Sequence, residues 1–106
     1  MASTAEPSHA WQTTEISELC EAIASLRNAN EAAAFLRDLC TVSELEAMAH
    51  RWQVAQLLEE GLPYLEISRR THASTTTVTR VAHWLRYGEG GYRTLLARRR
   101  RRRTTA

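Results

Sequence analysis

Residues 64–87 read YLEISRRTHASTTTVTRVAHWLRY, and this stretch decides the fold of the chain. It predicts two short helices, the first over about residues 62–71 and the second from Ser74 onward, joined by a tight turn at His72–Ala73. Ser74 is a good N-cap, because its hydroxyl accepts a hydrogen bond from a backbone N–H two or three residues later. Histidine tolerates positive φ better than most residues, so His72 suits a turn that usually holds glycine. Residues 62–87 therefore predict a helix-turn-helix.

The second of these helices has two unlike faces. Apolar side chains at helical spacing predict a buried side formed by Val78, Val81, Ala82 and Leu85. The opposite side carries Thr75, Thr76, Thr79, Arg80 and His83. Threonine is a mediocre helix former, so four threonines in a five-residue run indicate that these side chains have a functional role. Short polar groups beside one arginine suit the floor of a DNA major groove, while a plain helical hairpin with solvated threonines is the alternative.

We predict that DNA contacts come from the start of the second helix and the end of the first. Backbone N–H groups at a helix start favour a phosphate, threonine hydroxyls and methyls can meet base edges, and arginine reaches phosphate or guanine. The candidate DNA-binding residues are Arg69, Arg70, Ser74, Thr75, Thr76, Thr77, Thr79 and Arg80. For Arg69 and Arg70 an ordinary solvated surface remains the alternative.

The charge of the chain is divided between its two halves. Residues 1–61 hold three arginines against ten acidic residues, whereas residues 62–106 hold eleven arginines against two. A basic half that contains the predicted helix-turn-helix indicates a polyanionic partner. The length of 106 residues predicts one domain. We expect a flexible N-terminal arm at residues 1–13, a folded domain at residues 14–92 and a basic tail at residues 93–106.

Six consecutive arginines, Arg98–Arg103, dominate that tail. A run of like charges predicts a disordered, solvated segment. If all six arginines engaged phosphates, binding would weaken with salt at a log–log slope near −5. Such a tail adds general affinity for nucleic acid without sequence choice, and RNA or acidic protein would attract it equally.

Upstream, apolar spacing predicts three helices over about residues 15–27, 31–40 and 43–60. Asn30 is the expected cap of the second helix, Ser43 with Glu46 reads as a capping box for the third, and Gly61 ends it. Cys20 and Cys40 are expected as reduced, buried thiols of a cytoplasmic protein, since neither a disulfide nor a metal motif is present. The sequence holds no apolar run long enough for a membrane span.

The chain resembles the Trp repressor superfamily, and most of all its YerC/YecD-like subgroup. The resemblance rests on Ser43–Ala47, Leu57–Gly61, Glu66–Ile67, Ala73–Val81 and the string YGEGGY at residues 87–92, together with Thr41 and Arg51. It implies an all-α, intertwined helical homodimer with a helix-turn-helix. Two reading helices would then enter successive major grooves of an operator, about 34 Å apart.

The resemblance also implies a site for a small amino-acid corepressor. In relatives that sense tryptophan, two arginines and a threonine hold the ligand, and these match Arg51, Arg80 and Thr41 here. A guanidinium both stacks on an indole and pairs with a carboxylate. Two positions that are small in those relatives are Val81 and Trp84 in this chain, and the bulk of Trp84 is expected to fill the cavity. We therefore expect no ordinary tryptophan binding, and either no effector or another amino acid such as histidine; for Arg51 and Arg80 an ion pair or a phosphate contact is the alternative role.

These features favour a sequence-specific double-stranded DNA-binding regulator, a dimeric repressor of an amino-acid biosynthesis operon. A nucleoid or RNA-binding protein acting through the arginine tail is the alternative, and a helical protein adaptor is a third reading. An enzyme is poorly supported, because the sequence has no catalytic constellation and no phosphate-binding glycine loop. We expect no metal and no membrane partner, and a bacterial cytoplasmic, nucleoid-associated location.

Overall fold

The computed structural model describes the backbone of residues 10–105 and the side chains of residues 10–103. Every regular element in that range is a helix, which confirms the all-α prediction. The chain divides into two units, one ending at Thr41 and the other beginning at Val42. Most of the predicted N-terminal arm, residues 1–13, lies outside the described residues.

The first unit contains α1 (Thr14–Ala24) and α2 (Ala29–Leu39). Each helix begins after a side-chain cap: the Thr13 hydroxyl accepts from the Ile16 N–H at 3.2 Å, and the Asn28 amide oxygen accepts from the Glu31 N–H at 2.9 Å. The prediction that Asn30 caps α2 was wrong. Asn28 has the extended backbone that an N-cap needs, whereas Asn30 already lies inside the helix.

The two cysteines belong to this unit. Both are free thiols, but Cys20 is exposed and Cys40 is half-buried, so the prediction of buried thiols was wrong. No residue of α1 or α2 is buried, and the apolar stripe of α1 that includes Ile16 and Ile23 stays exposed within this single chain.

The second unit contains α3 (Val42–Glu59), α4 (Tyr64–Thr71), α5 (Thr75–Tyr87) and α6 (Gly91–Thr105). Helices α3, α4 and α5 pack on one another, and α6 packs on α3 and α5. Their contact forms one apolar cluster, whose buried members are Val54, Ala55, Ile67, Ala73, Val78, Val81 and Leu96. Gly61 ends α3 with φ at 85°, as its place in the sequence predicts. Because α3 begins at Val42, Ser43 lies inside its first turn and not at the predicted cap position.

The C-terminal segment differs from its prediction. Residues 93–105 are helical, so the arginine run belongs to α6 and is not a disordered tail. Leu96 is only 2% exposed and completes the core, which extends the folded domain past the expected boundary at residue 92. The Arg93 guanidinium donates to the Leu85 and Arg86 carbonyls at 2.9 and 3.0 Å, and Arg100 pairs with Glu59 of α3. Arginine is a good helix former and is favoured near helix C-termini, so docking through these contacts extends the helix.

Candidate nucleic-acid interface

The turn between α4 and α5 is held by side chains that the sequence pattern did not single out. His72 adopts the left-handed conformation, with φ 63° and ψ 11°, as predicted. The buried Thr71 hydroxyl donates to the Ile67 carbonyl at 2.8 Å and accepts from the Ala73 N–H at 3.2 Å. The Ser68 hydroxyl donates to the Ala73 carbonyl. These bonds fix the direction in which α5 leaves the turn.

The start of α5 is capped as predicted. The Ser74 hydroxyl accepts from the Thr77 N–H at 3.1 Å and also lies 3.1 Å from the Thr77 hydroxyl. The Thr79 hydroxyl donates to the Thr75 carbonyl at 2.9 Å. Thr77 is half-buried, whereas Thr75, Thr76 and Thr79 are exposed. Ser74 and Thr77 therefore serve the helix itself, and the exposed threonines are available to a partner.

Helix α5 separates its two faces as the sequence predicts. Val78, Val81 and Ala82 are buried against α3 and α4, and Leu85 is half-buried. Thr75, Thr76, Thr79, Arg80 and His83 are exposed on the other side. We call this exposed set the reading face. Its members are hydrogen-bond donors and acceptors next to methyl groups, which is the chemistry that base edges require.

Arg69 and Arg70 lie in the last turn of α4, and both pair with Glu66. Arg69 Nε donates to Glu66 Oε1 at 3.1 Å, and Arg70 Nε donates to Glu66 Oε2 at 2.8 Å. Hydrogen bonds from Arg69 and then Arg70 lower the pKa of Glu66 from 4.5 to about 2. The same contact raises the pKa of Arg69. Two guanidinium groups on one carboxylate leave a net positive charge at the end of α4.

Arg51 and Arg80 come together in one cleft of about 360 Å³. The cleft lies between the middle of α3 and the start of α5, and its other lining residues are Ala47, His50, His72, Ala73, Ser74 and Thr77. None of these lining residues is acidic, so the cleft offers positive charge and hydroxyl groups. Thr41, the third residue of the expected effector site, is the exposed last residue of the first unit.

Trp84 does not line this cleft, which corrects the prediction that its bulk fills it. Trp84 is 58% exposed and lies one turn beyond Arg80, where it faces the start of α6. There it lines a separate apolar pocket of about 380 Å³ with Trp52, Gly88, Glu89, Gly91, Tyr92 and Leu95. Val81, the second bulky position, is buried in the core. The space beside the two arginines therefore remains open in this chain.

The structure resembles those of Trp-repressor-like proteins. A TrpR-like protein from Eubacterium eligens is 40% identical and superposes with a TM-score of 0.77, covering 81% of this chain and 89% of its own. A structure from Staphylococcus aureus is 36% identical, with a TM-score of 0.78 and coverages of 83% and 88%. Among sequences, the YerC protein of Bacillus subtilis is 40% identical over 84 residues, which are 79% of this chain and 81% of YerC.

The family described as Trp repressor protein matches residues 14–100. The chain therefore belongs to the Trp repressor family. Membership indicates a DNA-binding transcription regulator and a regulatory, not an enzymatic, fold. None of the helices described within residues 10–105 has the length and apolar character to cross a membrane.

Proposed function

We propose that this protein is a homodimeric, sequence-specific repressor that reads an operator with the helix-turn-helix formed by α4 and α5. The observation that carries the proposal is the capped start of α5, where exposed threonines and Arg80 project from a turn fixed by buried hydrogen bonds. A base-reading helix must be held at one angle, because a misplaced side chain loses its hydrogen bond to the base edge. It acts on chromosomal DNA in the bacterial cytoplasm, on an operon for amino-acid biosynthesis.

Dimerisation is supported by the first unit. Ile16, Leu19 and Ile23 are between 36 and 45% exposed along one side of α1. A 106-residue helical chain buries a thin core alone, and a second copy that intertwines with the first would cover such a stripe. A dimer also supplies two reading helices for two half-sites about 34 Å apart.

An amino-acid corepressor is supported by the cleft of Arg51 and Arg80. A carboxylate can pair with either guanidinium, and His50 and Thr77 add polar groups at the same cleft. The open cleft leaves room for an effector. Because Ser74, Thr77 and Arg80 line the cleft, a bound effector would contact the start of α5. We propose a small amino acid as the ligand, and histidine and tryptophan are the first two to test by calorimetry, because Trp84 leaves the cleft open to either. Binding of neither amino acid would contradict this choice.

The experiment that tests the main proposal is selection of bound fragments from random and genomic duplex DNA. We expect a palindromic motif whose half-sites match one helical turn of DNA. Thr76→Ala should weaken binding to that motif by about 1–3 kcal/mol and leave binding to random DNA unchanged. A pool without a motif would overturn the proposal and favour the alternative, a nucleic-acid-binding protein without sequence preference that acts through its arginines.

A further inference from the structure

The arginine run is helical, and this gives its six side chains different directions. Successive residues of an α-helix are about 100° apart around its axis. Leu96, buried in the core, marks the inward side of α6. Measured from Leu96, Arg99, Arg100 and Arg103 lie within about 60° of the inward direction, whereas Arg98, Arg101 and Arg102 lie about 120–160° away.

The contacts of α6 agree with this division. Arg100 pairs with Glu59 of α3 and Arg99 is half-buried, so these two inward arginines are turned toward the body of the unit. Arg98, Arg101 and Arg102 are exposed, as are Arg100 and Arg103, so the division rests on direction around the helix axis. They are spaced i, i+3 and i+4, which places them side by side on one helix surface. We call these three residues the arginine face.

The arginine face is separate from the reading face. Helices α5 and α6 turn their buried side chains, Val78 and Leu96 among them, to the same apolar cluster. Their exposed faces therefore point away from that cluster. The two helices also meet α3 at different places: the start of α5 shares its cleft with Arg51, while Arg100 pairs with Glu59. Those α3 positions are eight residues apart, or about 12 Å along the helix.

We propose that the arginine face is a second, sequence-independent DNA contact, which binds the phosphate backbone of a duplex segment other than the one at the reading face. Guanidinium groups pair with phosphate through two parallel hydrogen bonds. No acidic residue interrupts residues 90–106, so every charged side chain that this segment itself carries is positive. Arg98 and Arg102 are about 6 Å apart along α6, a span that covers two successive phosphates of one strand, which are 3.4 Å apart along the DNA axis. A protein with two such faces holds two stretches of DNA together.

Two triple variants of the full chain test the proposal with matched charge. The first replaces the arginine face, as Arg98→Gln, Arg101→Gln and Arg102→Gln together. The second replaces the inward set, as Arg99→Gln, Arg100→Gln and Arg103→Gln together. Both remove three charges and reach the same composition, and circular dichroism verifies that both remain helical.

The first readout is the salt dependence of binding to a short random-sequence duplex. Each phosphate contact contributes about 0.9 to the log–log slope, so the arginine-face variant should lower the slope by about 2.7 per chain. When salt is raised from about 50 to 200 mM, the drop in the affinity of that variant should be about 40-fold smaller than the drop in the affinity of the native chain. The inward variant should change the slope by less than about 1.

The second readout is bridging, in which an immobilised duplex carrying the protein retains a second, labelled duplex. The native chain and the inward variant should retain it, and the arginine-face variant should release it. Thr76→Ala should still retain it, because this contact does not depend on sequence reading. Fragment selection without a motif would thus overturn the repressor and leave this inference standing.

Three outcomes would overturn the inference. If the two triple variants showed equal decreases in salt slope and in bridging, the arginines would act only as diffuse charge. No loss in either variant would mean that the face does not bind DNA, and would point to an acidic protein as its partner. Bridging that survives in the arginine-face variant would assign both duplexes to other surfaces.

Discussion

The reading face of α5 and the arginine face of α6 are both exposed, positive helix surfaces, yet they are held in different ways. Around the reading face, Thr71 and Ser68 lock the turn and Ser74 caps the helix through hydrogen bonds. The arginine face lies near the end of α6, a helix anchored by Leu96, by the Arg93 hydrogen bonds to the Leu85 and Arg86 carbonyls and by the Arg100–Glu59 pair. Fixed short side chains can discriminate among bases, whereas long arginines on an exposed helix end recognise only phosphate charge. We infer from the comparison that charge alone is enough to attract a phosphate backbone, whereas reading a sequence also requires short side chains held in fixed positions.

The largest expected effect comes from removing the core beneath the reading face. Ile67 of α4 is fully buried in the apolar cluster. Ile67→Ala should lower the free energy of unfolding by about 2–5 kcal/mol and abolish motif-specific binding. Chemical denaturation measures the first effect. Leu65→Ala is the matched control, since Leu65 is 76% exposed and should change stability by no more than about 0.5 kcal/mol. Equal losses in the two variants would mean that α4 does not support the reading face through Ile67.

The next effect concerns the left-handed turn residue. A β-branched side chain at His72 meets a steric penalty at φ 63°, so His72→Val should destabilise the protein by about 1–2 kcal/mol. His72→Gly should not destabilise it, because glycine adopts this conformation without strain. Thermal melts of both variants measure the difference. If valine and glycine gave equal melting temperatures, the turn would not depend on a left-handed residue.

A smaller effect is expected at the cap of α5. Ser74→Ala removes the oxygen that accepts from the Thr77 N–H, which should cost about 1 kcal/mol. Ser74→Asp should restore the lost stability, since aspartate caps equally well. Binding to the selected motif should follow the same order, and binding to random DNA should stay nearly constant for alanine. An unchanged melting temperature in Ser74→Ala would show that the cap is not needed.

The smallest effect is a pH dependence at Glu66. Its pKa is lowered to about 2, so its ion pairs stabilise the folded chain above the ordinary pKa of 4.5, and this contribution is lost as the pH falls from 4.5 towards 2. Glu66→Gln should remove that part of the acid dependence. The same change should strengthen binding to random DNA slightly, because Arg69 and Arg70 lose their carboxylate partner. A Glu66→Gln chain with the native acid unfolding curve would contradict the assignment.

Features fixed by a few neighbouring residues could be predicted from the sequence. The turn at His72, the cap at Ser74, the end of α3 at Gly61 and the two faces of α5 all depend on local geometry, and the structure confirms each of them. Arg51 and Arg80, joined in the prediction by family resemblance, do share a cleft. Their roles and those of the exposed threonines stay predictions.

Features that depend on distant contacts could not be predicted in this way. Nothing in a run of arginines indicates that Leu96 before it completes a core formed by α3, α4 and α5. Trp84 was expected at the arginine cleft because the resemblance to tryptophan-sensing relatives implied it, but Trp84 lines a different pocket with residues of α6. Thr71 was missed because a threonine near a helix end gives no sign of the two hydrogen bonds it forms.

The docking of α6 on α3 also has an optical consequence. Trp52 of α3 and Tyr92 of α6 have parallel rings, with centroids 6.3 Å apart and planes within 6°. If α6 leaves α3, this stacking is lost and the surroundings of the indole change, so the emission of Trp52 should change with it. Trp11 and Trp84 supply background emission that Trp→Phe variants at those positions would remove. The intrinsic fluorescence of Trp52 can therefore be followed during a DNA titration as a measure of α6 docking, without an attached dye.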